Sequence, residues 1–169
     1  EICPNALFMN YTNPMAVLTR ALCMTRTVPN RTVGLCHEYI GVRENLAKIF
    51  AIQPEQIQAK VAGINHLIWI TDLYADGRHV WDEIPVLAAK ILGGDIMVDQ
   101  HDTSVFADHA KVKSTLFQMY GALPAAGDRH IAEFFPHFIN ESTHWGSDFD
   151  LRLTSIADRS AGREALDLY

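Results

Sequence analysis

The chain has 169 residues, 49% of them hydrophobic, and is therefore long enough to bury a core as one globular unit. Its 20 acidic residues outnumber its 14 basic ones and give a formal net charge of -6, which argues against a nucleic-acid partner. No apolar run reaches the roughly 18 residues of a membrane span, so we expect no membrane partner. The three cysteines lack the spacing of a disulfide framework. Their odd number indicates a reducing compartment, and hence a cytoplasmic protein.

The first elements are a short strand, a turn and a helix. Residues 6–9 are apolar and predict a buried strand, and the run Asn10-Tyr11-Thr12-Asn13-Pro14 that follows is typical of a turn. Pro14 suits the first turn of a helix over residues 15–25. This order places Asn13 at the rim of a crevice, although Asn13 could equally serve only as the cap of the helix.

The stretch from residue 30 to residue 69 contains two apolar runs that end on metal-binding residue types. Residues 32–35 lead into Cys36-His37-Glu38, and residues 60–64 lead into Asn65-His66, with a predicted helix over residues 38–51 between them. A strand, a helix and a second strand would bring both strand ends to one crevice of an open α/β sheet. Cys36 and His66 would then converge there, and two soft ligands with open positions favour a catalytic transition metal. Taken singly, Cys36 could be a core cysteine and His66 a hydrogen-bonded polar residue at a strand end.

The remainder of the chain predicts more strand and helix. Residues 67–74 are β-rich and residues 75–78 form a hairpin-turn pattern, so the sheet continues antiparallel. Helices are predicted over residues 81–92 and 107–120. A polar group follows over residues 127–133, and its Asp128 could be the cap of an ordinary helix. No Gly-x-Gly-x-x-Gly motif occurs, so a dinucleotide site would need its phosphate-binding loop before Glu1.

Four motifs resemble glycoside hydrolase family 4, a relative of the lactate and malate dehydrogenase fold. They are Asn10-Tyr11-Thr12-Asn13-Pro14, Gly34-Leu35-Cys36-His37-Glu38, Ala62-Gly63-Ile64-Asn65-His66 and the run from Gly127 to Glu133. The resemblance implies an α/β fold in which the second half of a Rossmann-like domain, residues 1–66, runs into an α+β substrate domain, residues 67–169. Family members are several hundred residues long, so the chain looks like an internal fragment.

The resemblance also implies an unusual hydrolysis of a small sugar substrate. NAD oxidises the sugar at C3, a divalent metal, usually manganese, assists loss of the C2 proton, and the C1 oxygen is eliminated. A homo-oligomer, dimer or tetramer, is expected for the full-length protein. The implied site residues are metal ligands Cys36 and His66; the proton donor His37; candidate bases Asp108 and Tyr120; cofactor contacts Asn10 and Asn13; and substrate contacts Asn13, Asn65, Arg129 and His130. The position that best matches the family's base is Ala110.

The substrate class follows from two departures within that resemblance. Glu38 after His37 resembles members that act on uronic acids, and Arg129 stands beside His130 where neutral-sugar members carry a different pattern. Arg129 offers a planar fork that matches a carboxylate, although it could instead pair with Asp128 or Glu133 on a solvated helix face. We therefore expect an α-hexuronide, a galacturonide or glucuronide. The alternatives are an α-glucosidase or α-galactosidase of the same family, an NAD-dependent 2-hydroxyacid dehydrogenase, and a Rossmann-type regulatory module without catalysis.

Overall fold

The structure, a computed structural model, describes residues 5–25, 31–99, 101, 107–157 and 160. Its α-helices are α1 (Met15–Thr25), α2 (Glu38–Phe50), α3 (Ile84–Gly93), α4 (Lys111–Tyr120) and α5 (Asp128–Ala132). Its strands are β1 (Phe8–Asn10), β2 (Thr32–Gly34), β3 (Ile57–Ile64), β4 (Leu67–Ala75), β5 (Arg78–His79) and β6 (Leu123–Pro124). Short 3-10 helices occupy Pro54–Gln56, Trp81–Glu83 and Glu141–Phe149. The helices predicted over residues 15–25, 38–51, 81–92 and 107–120 are confirmed, with small shifts at their ends.

The first layer is a β-α-β unit. Strands β1 and β2 are parallel, with Met9 opposite Val33, and α1 connects them. A side chain at Gly34 would lie 2.3 Å from the sulfur of Met15, so glycine lets α1 pack directly on β2. This unit agrees with the expected Rossmann-like, α/β character.

The second layer is an antiparallel sheet, and it corrects the predicted strand order. Strand β3 pairs antiparallel with β4 rather than joining β2 in a parallel sheet, and β4 also pairs with β5 and β6. Ile64 faces Leu67 in the ladder, so Asn65 and His66 form a two-residue turn at a hairpin tip. The prediction of a strand-helix-strand unit ending at His66 was therefore wrong. The domain boundary expected after His66 falls in this hairpin and stays a prediction.

The hairpin predicted at residues 75–78 is confirmed. Ala75 pairs with Arg78, and Asp76 and Gly77 both adopt positive φ angles, 48° and 74°. Positive φ at both central residues matches the twist of the flanking strands, and Asp-Gly is among the sequences that reach it most easily.

Most buried apolar side chains fall in two clusters around the antiparallel sheet. The larger lies between α2, α3 and the antiparallel sheet and includes Val42, Leu46, Ile70, Leu73 and Ile84. The smaller lies beneath α4 and α5 and includes Val112, Leu116, Ile131 and Phe138. Among the described helices, none has the length and apolar character required to cross a bilayer.

Candidate metal and substrate site

Three side chains of metal-binding type converge where α2 begins. Cys36 follows β2, Glu38 is the first residue of α2, and His66 lies at the tip of the β3–β4 hairpin with a φ of 60°. One ligand atom from each of Cys36, Glu38 and His66 lies within 4.8 Å of the other two. Cys36 is exposed, His66 is half-buried and Glu38 is buried. The expected approach of Cys36 and His66 is therefore present, but it arises from a hairpin tip rather than from paired strand ends.

Glu38 is held by groups from the far end of the chain. Its Oε1 lies 2.9 Å from Nδ1 of His130, and its Oε2 accepts a hydrogen bond of 2.7 Å from the backbone N–H of Gly127. Burial alone raises the pKa of Glu38, but the hydrogen bonds from His130 and Gly127 outweigh it and lower this pKa to about 2. Glu38 is thus ionised at neutral pH, and its two oxygens retain lone pairs for a further ligand.

The rings of the two histidines of the site are stacked, and their pKa values move in opposite directions. The rings of His66 and His130 lie 4.4 Å apart at an interplanar angle of 23°. The hydrogen bond to Glu38 raises the pKa of His130, whereas burial and the charge of His130 lower the pKa of His66. His66 therefore favours the neutral imidazole, which is the form that binds a metal ion.

The donor set fits a divalent transition metal. A sulfur, a carboxylate oxygen and a neutral imidazole nitrogen come from two segments, residues 36–38 and the tip of the β3–β4 hairpin, and the exposed side of Cys36 leaves room for further ligands. Sulfur and nitrogen donors favour first-row transition-metal ions such as manganese, iron or zinc over magnesium or calcium, which prefer oxygen donors alone. Three protein ligands with an open side are typical of a catalytic rather than a structural site.

A cavity of about 450 Å³ opens beside this cluster. That volume lies within the usual range for small-molecule sites, roughly 300–1,000 Å³. The residues expected from the sequence that line it are Asn13, Cys36, His37, His66, Asp108, Arg129 and His130. The cavity thus gathers most of the predicted site residues around the metal-binding cluster.

His37 and Arg129 stand at different parts of this cavity. The His37 side chain is 68% exposed, and its ring lies 6.3 Å from that of Tyr11. It can therefore give a proton to a bound ligand without leaving its place at the start of α2. Arg129 is half-buried and donates a hydrogen bond to Oγ1 of Thr154. Asp128, one of the two partners considered for Arg129, instead contacts Lys113, at 3.0 Å.

Asp108 lines the cavity and belongs to a charged group that extends behind the cavity wall. Its carboxylate accepts hydrogen bonds from Nζ of Lys113 and from the backbone N–H of Ala110, the latter at 3.2 Å. Asp128, only 1% exposed, accepts hydrogen bonds of 3.0 Å from the backbone N–H groups of both Val112 and Lys113. Asp128 therefore caps α4 from a distance, whereas the sequence suggested that it caps its own helix.

Three predicted site residues lie away from the cavity. Asn10 is buried, and its side chain holds the turn through Met15, Thr19 and Thr12, at 3.0–3.1 Å. Tyr120 packs its ring edge-on to Trp69, 6.0 Å away, at the opposite end of α4 from Asp108. Asn65 lies in the hairpin turn. Its buried Oδ1 has no hydrogen-bond partner among the described residues.

Two residues of the site were not recognised from the sequence. Glu38 was interpreted only as a marker of substrate class, although its place two residues after Cys36 at a helix start was a usable signal. The pairing of Lys113 with Asp128 carries no local signal, because Asp128 lies 15 residues further along the chain. Such a pairing becomes visible only when α4 and α5 are in contact.

Comparison with known proteins assigns the family. A family model described as family 4 glycosyl hydrolase matches residues 1–52, and the model of that family's C-terminal domain matches residues 61–162. The chain belongs to glycosyl hydrolase family 4. Because both models describe glycosyl hydrolases, we set aside the alternative of a 2-hydroxyacid dehydrogenase.

Curated family 4 relatives span almost the whole chain. An α-galacturonidase of Bacillus subtilis is 35% identical over 96% of the chain, and one of Thermoanaerobacter italicus is 35% identical over 98%. An α-galactosidase of Bacillus subtilis is 33% identical over 84% of the chain. The chain spans 38% of the length of each of the two α-galacturonidases.

Solved family 4 structures have the same fold. The crystal structure of lplD from Bacillus subtilis superposes with a TM-score of 0.75 at 33% identity, covering 93% of this chain and 37% of that one. A 6-phospho-α-glucosidase from gut microorganisms, solved with NAD and Mn²⁺, superposes with a TM-score of 0.60 at 20% identity, covering 87% and 34%. Family 4 structures thus include one that contains both a nicotinamide cofactor and manganese.

Proposed function

We propose that the chain is part of a glycosidase that cleaves α-hexuronides with NAD⁺ and a divalent metal, most favourably Mn²⁺. The observation that carries the proposal is the convergence of Cys36, Glu38 and His66 within 4.8 Å beside a cavity that Arg129 also lines. Identity of 35% to two α-galacturonidases supports a galacturonide over a glucuronide.

The proposed chemistry divides between the bound groups and the protein. When bound, NAD⁺ would supply an acceptor for the C3 hydride, and the metal would polarise the oxygens on C2 and C3. Cys36, Glu38 and His66 would hold the metal. His37 would donate a proton to the departing C1 oxygen, since its side chain is 68% exposed and lines the cavity.

Asp108 is the proposed base for the C2 proton. It lines the cavity, whereas Tyr120, the other candidate, packs against Trp69 and Phe135 away from it. The ammonium of Lys113 contacts this carboxylate and holds it at the wall of the cavity. We therefore keep Asp108 and leave Tyr120 out of the proposal.

Arg129 is the proposed contact for the sugar carboxylate, and Glu38 fixes its position. Glu38 binds Gly127 on one side of Arg129 and His130 on the other, at 2.7 and 2.9 Å. Glu38 and Arg129, the two residues that suggested a uronic acid in the sequence, are therefore parts of one structure. Glu38 binds the start of α5, the helix on which Arg129 lies. A planar guanidinium at that place matches a carboxylate in two hydrogen bonds.

A deuterium-exchange experiment tests the reaction class. The full-length enzyme, given NAD⁺, Mn²⁺ and an aryl α-galacturonide labelled at C2, should release the deuterium to solvent during turnover. A hydrolase with two catalytic carboxylates does not break the C2–H bond. Retention of the deuterium in the product would therefore rule out the elimination mechanism.

Substrate class is tested with Arg129→Met. Wild type should prefer the aryl α-hexuronide to the matching hexoside, and the variant should lose roughly 30-fold or more in kcat/KM for the hexuronide alone, about 2 kcal/mol. Preference of the wild type for the neutral hexoside would instead favour the second candidate, an α-galactosidase. That candidate is supported by the 33% identity to the Bacillus subtilis α-galactosidase.

A further inference from the structure

Lys113 is a buried cation immediately behind the cavity. Its side chain is 5% exposed, and its Nζ contacts the carboxylates of both Asp108 and Asp128. Of these, Asp128 is also held by two backbone N–H groups of α4, at 3.0 Å each. Asp108 has one backbone donor, at 3.2 Å, and is the partner with the more exposed side chain, 13% against 1%. Both carboxylates line the cavity, and Lys113 is the main support of Asp108, the more exposed of the two.

The cost of burying Lys113 calls for a reason. Taking an ammonium and its partners out of water costs several kcal/mol per ion, and a well-packed apolar residue would often be as stable in the same place. Burial lowers the pKa of Lys113, but the charges of Asp108 and Asp128 outweigh it and raise this pKa, so the cation persists. A charge kept at this cost beside a reactive cavity is typical of a group that orients another.

We propose that Lys113 is a positioning residue that holds the Asp108 carboxylate at the cavity wall in the orientation that removes the C2 proton of the sugar. The inference rests on the proposed function. An oxygen of Asp108 forms the new bond to the C2 proton, and the electron pair of the broken C–H bond stays on the sugar. Lys113 neither gains nor loses a proton in this step and does not touch the substrate.

The experiment compares Lys113→Met with wild type in the full-length enzyme with NAD⁺ and Mn²⁺. Without Lys113 the Asp108 base should lose its alignment, and removal of the C2 proton should slow. A positioned general base accelerates such a step by roughly 100- to 10,000-fold. We expect kcat to fall at least about tenfold, with KM changing less than threefold. The kinetic isotope effect for deuterium at C2 should rise because that step becomes rate-limiting, while the effect for deuterium at C3 should not rise. If the variant were only less well folded, the isotope effects at C2 and at C3 would change in the same way.

Matched variants separate positioning from folding. Lys111→Met, on the same helix, removes a contact of 2.7 Å to Asp150 but leaves Asp108 supported, so it should keep wild-type isotope effects. Lys113→Arg should recover most of kcat, since it keeps a cation that can bind the carboxylates of Asp108 and Asp128. If Lys113→Met does not fold, Lys113→Met with Asp128→Asn removes the unpaired buried charge and is measured in its place.

The outcomes bear separately on the two proposals. Wild-type kcat and an unchanged C2 isotope effect in Lys113→Met would overturn the role of Lys113, and so would an equal loss in Lys111→Met. In both cases C2 exchange by the wild type would leave the proposed function standing. Absence of C2 exchange in the wild type would overturn the proposed function itself.

Discussion

Glu38 shows how one carboxylate can link two segments of the chain, and its titration gives a testable stability profile. The pKa of Glu38 is about 2 against an ordinary 4.5, so its contribution is present above pH 4.5 and is lost as pH falls towards 2. The pKa of His130 is raised above 6.5, so its contribution is complete below pH 6.5 and is lost as pH rises through the higher value. Together, Glu38 and His130 should stabilise the folded state most between pH 4.5 and 6.5.

Glu38→Gln should therefore lower the free energy of unfolding by about 2 kcal/mol in that window, after allowing for screening by solvent. The difference from wild type should vanish towards pH 2. Urea unfolding of the metal-free protein across this range measures it. The control is Glu44→Gln, an exposed position on the same helix. A deficit of equal size at pH 2.5 and pH 5.5 would contradict the assignment.

The β3–β4 hairpin positions His66, and Gly63 is the residue on which its shape depends. Gly63 has a φ of 137°, and a Cβ there would lie 2.3 Å from the carbonyl oxygen of Leu67. Gly63→Ala should cost at least about 1–3 kcal/mol of unfolding free energy from backbone strain alone. It should also weaken Mn²⁺ binding, because the tip carrying His66 must shift. Thermal unfolding and Mn²⁺ titration measure the two effects.

Gly93→Ala is the matched control for the hairpin. A Cβ at Gly93 would meet only Oδ2 of Asp95, at 4.0 Å, and the position ends α3 without a positive φ. Its stability should change by less than about 1 kcal/mol, and its Mn²⁺ affinity should not change. Equal behaviour of the two alanine variants would show that Gly63 does not set the position of His66.

The two hairpin turns of the antiparallel sheet show where the sequence was sufficient for prediction and where it was not. The Asp76–Gly77 turn was predictable because its residue types reach positive φ easily. The Asn65–His66 turn was missed because neither residue is glycine, and a short apolar run such as residues 60–64 does not distinguish a parallel from an antiparallel strand. The helices were predictable from Pro14 and from apolar spacing. The contacts of Glu38 with Gly127 and of Lys113 with Asp128 were not, since they depend on packing.

For the molecule as a whole, the site joins segments that are distant in sequence. The Glu38–Gly127 hydrogen bond links residues 89 positions apart, and Asn45 contacts Asp99 across 54 positions. A metal ion bound by Cys36, Glu38 and His66 would add a further link between α2 and the β3–β4 hairpin. Binding to the folded state alone should then stabilise the whole protein, by about 2.7 kcal/mol at a Mn²⁺ concentration of 100 times Kd.

Cys36→Ala should abolish this Mn²⁺-dependent rise in Tm. Its metal-free Tm should stay close to that of wild type, because Cys36 is exposed and contributes little packing. Cys23→Ala on α1, away from the cluster, should keep the full rise and serves as the control. An undiminished Mn²⁺ shift in Cys36→Ala would exclude Cys36 as a ligand. The measurement needs neither substrate nor NAD⁺.

The remote capping of α4 by Asp128 has a consequence for the order of folding. The N–H groups of Val112 and Lys113 lie in the first turn of α4, where a helix offers no acceptor of its own, and both donate to Asp128. The first turn of α4 therefore gains these two capping hydrogen bonds only when α5 has docked. The two helices should open and close as one cooperative unit. In native-state hydrogen exchange, the amides of Val112, Lys113 and Ile131 should share a single opening free energy.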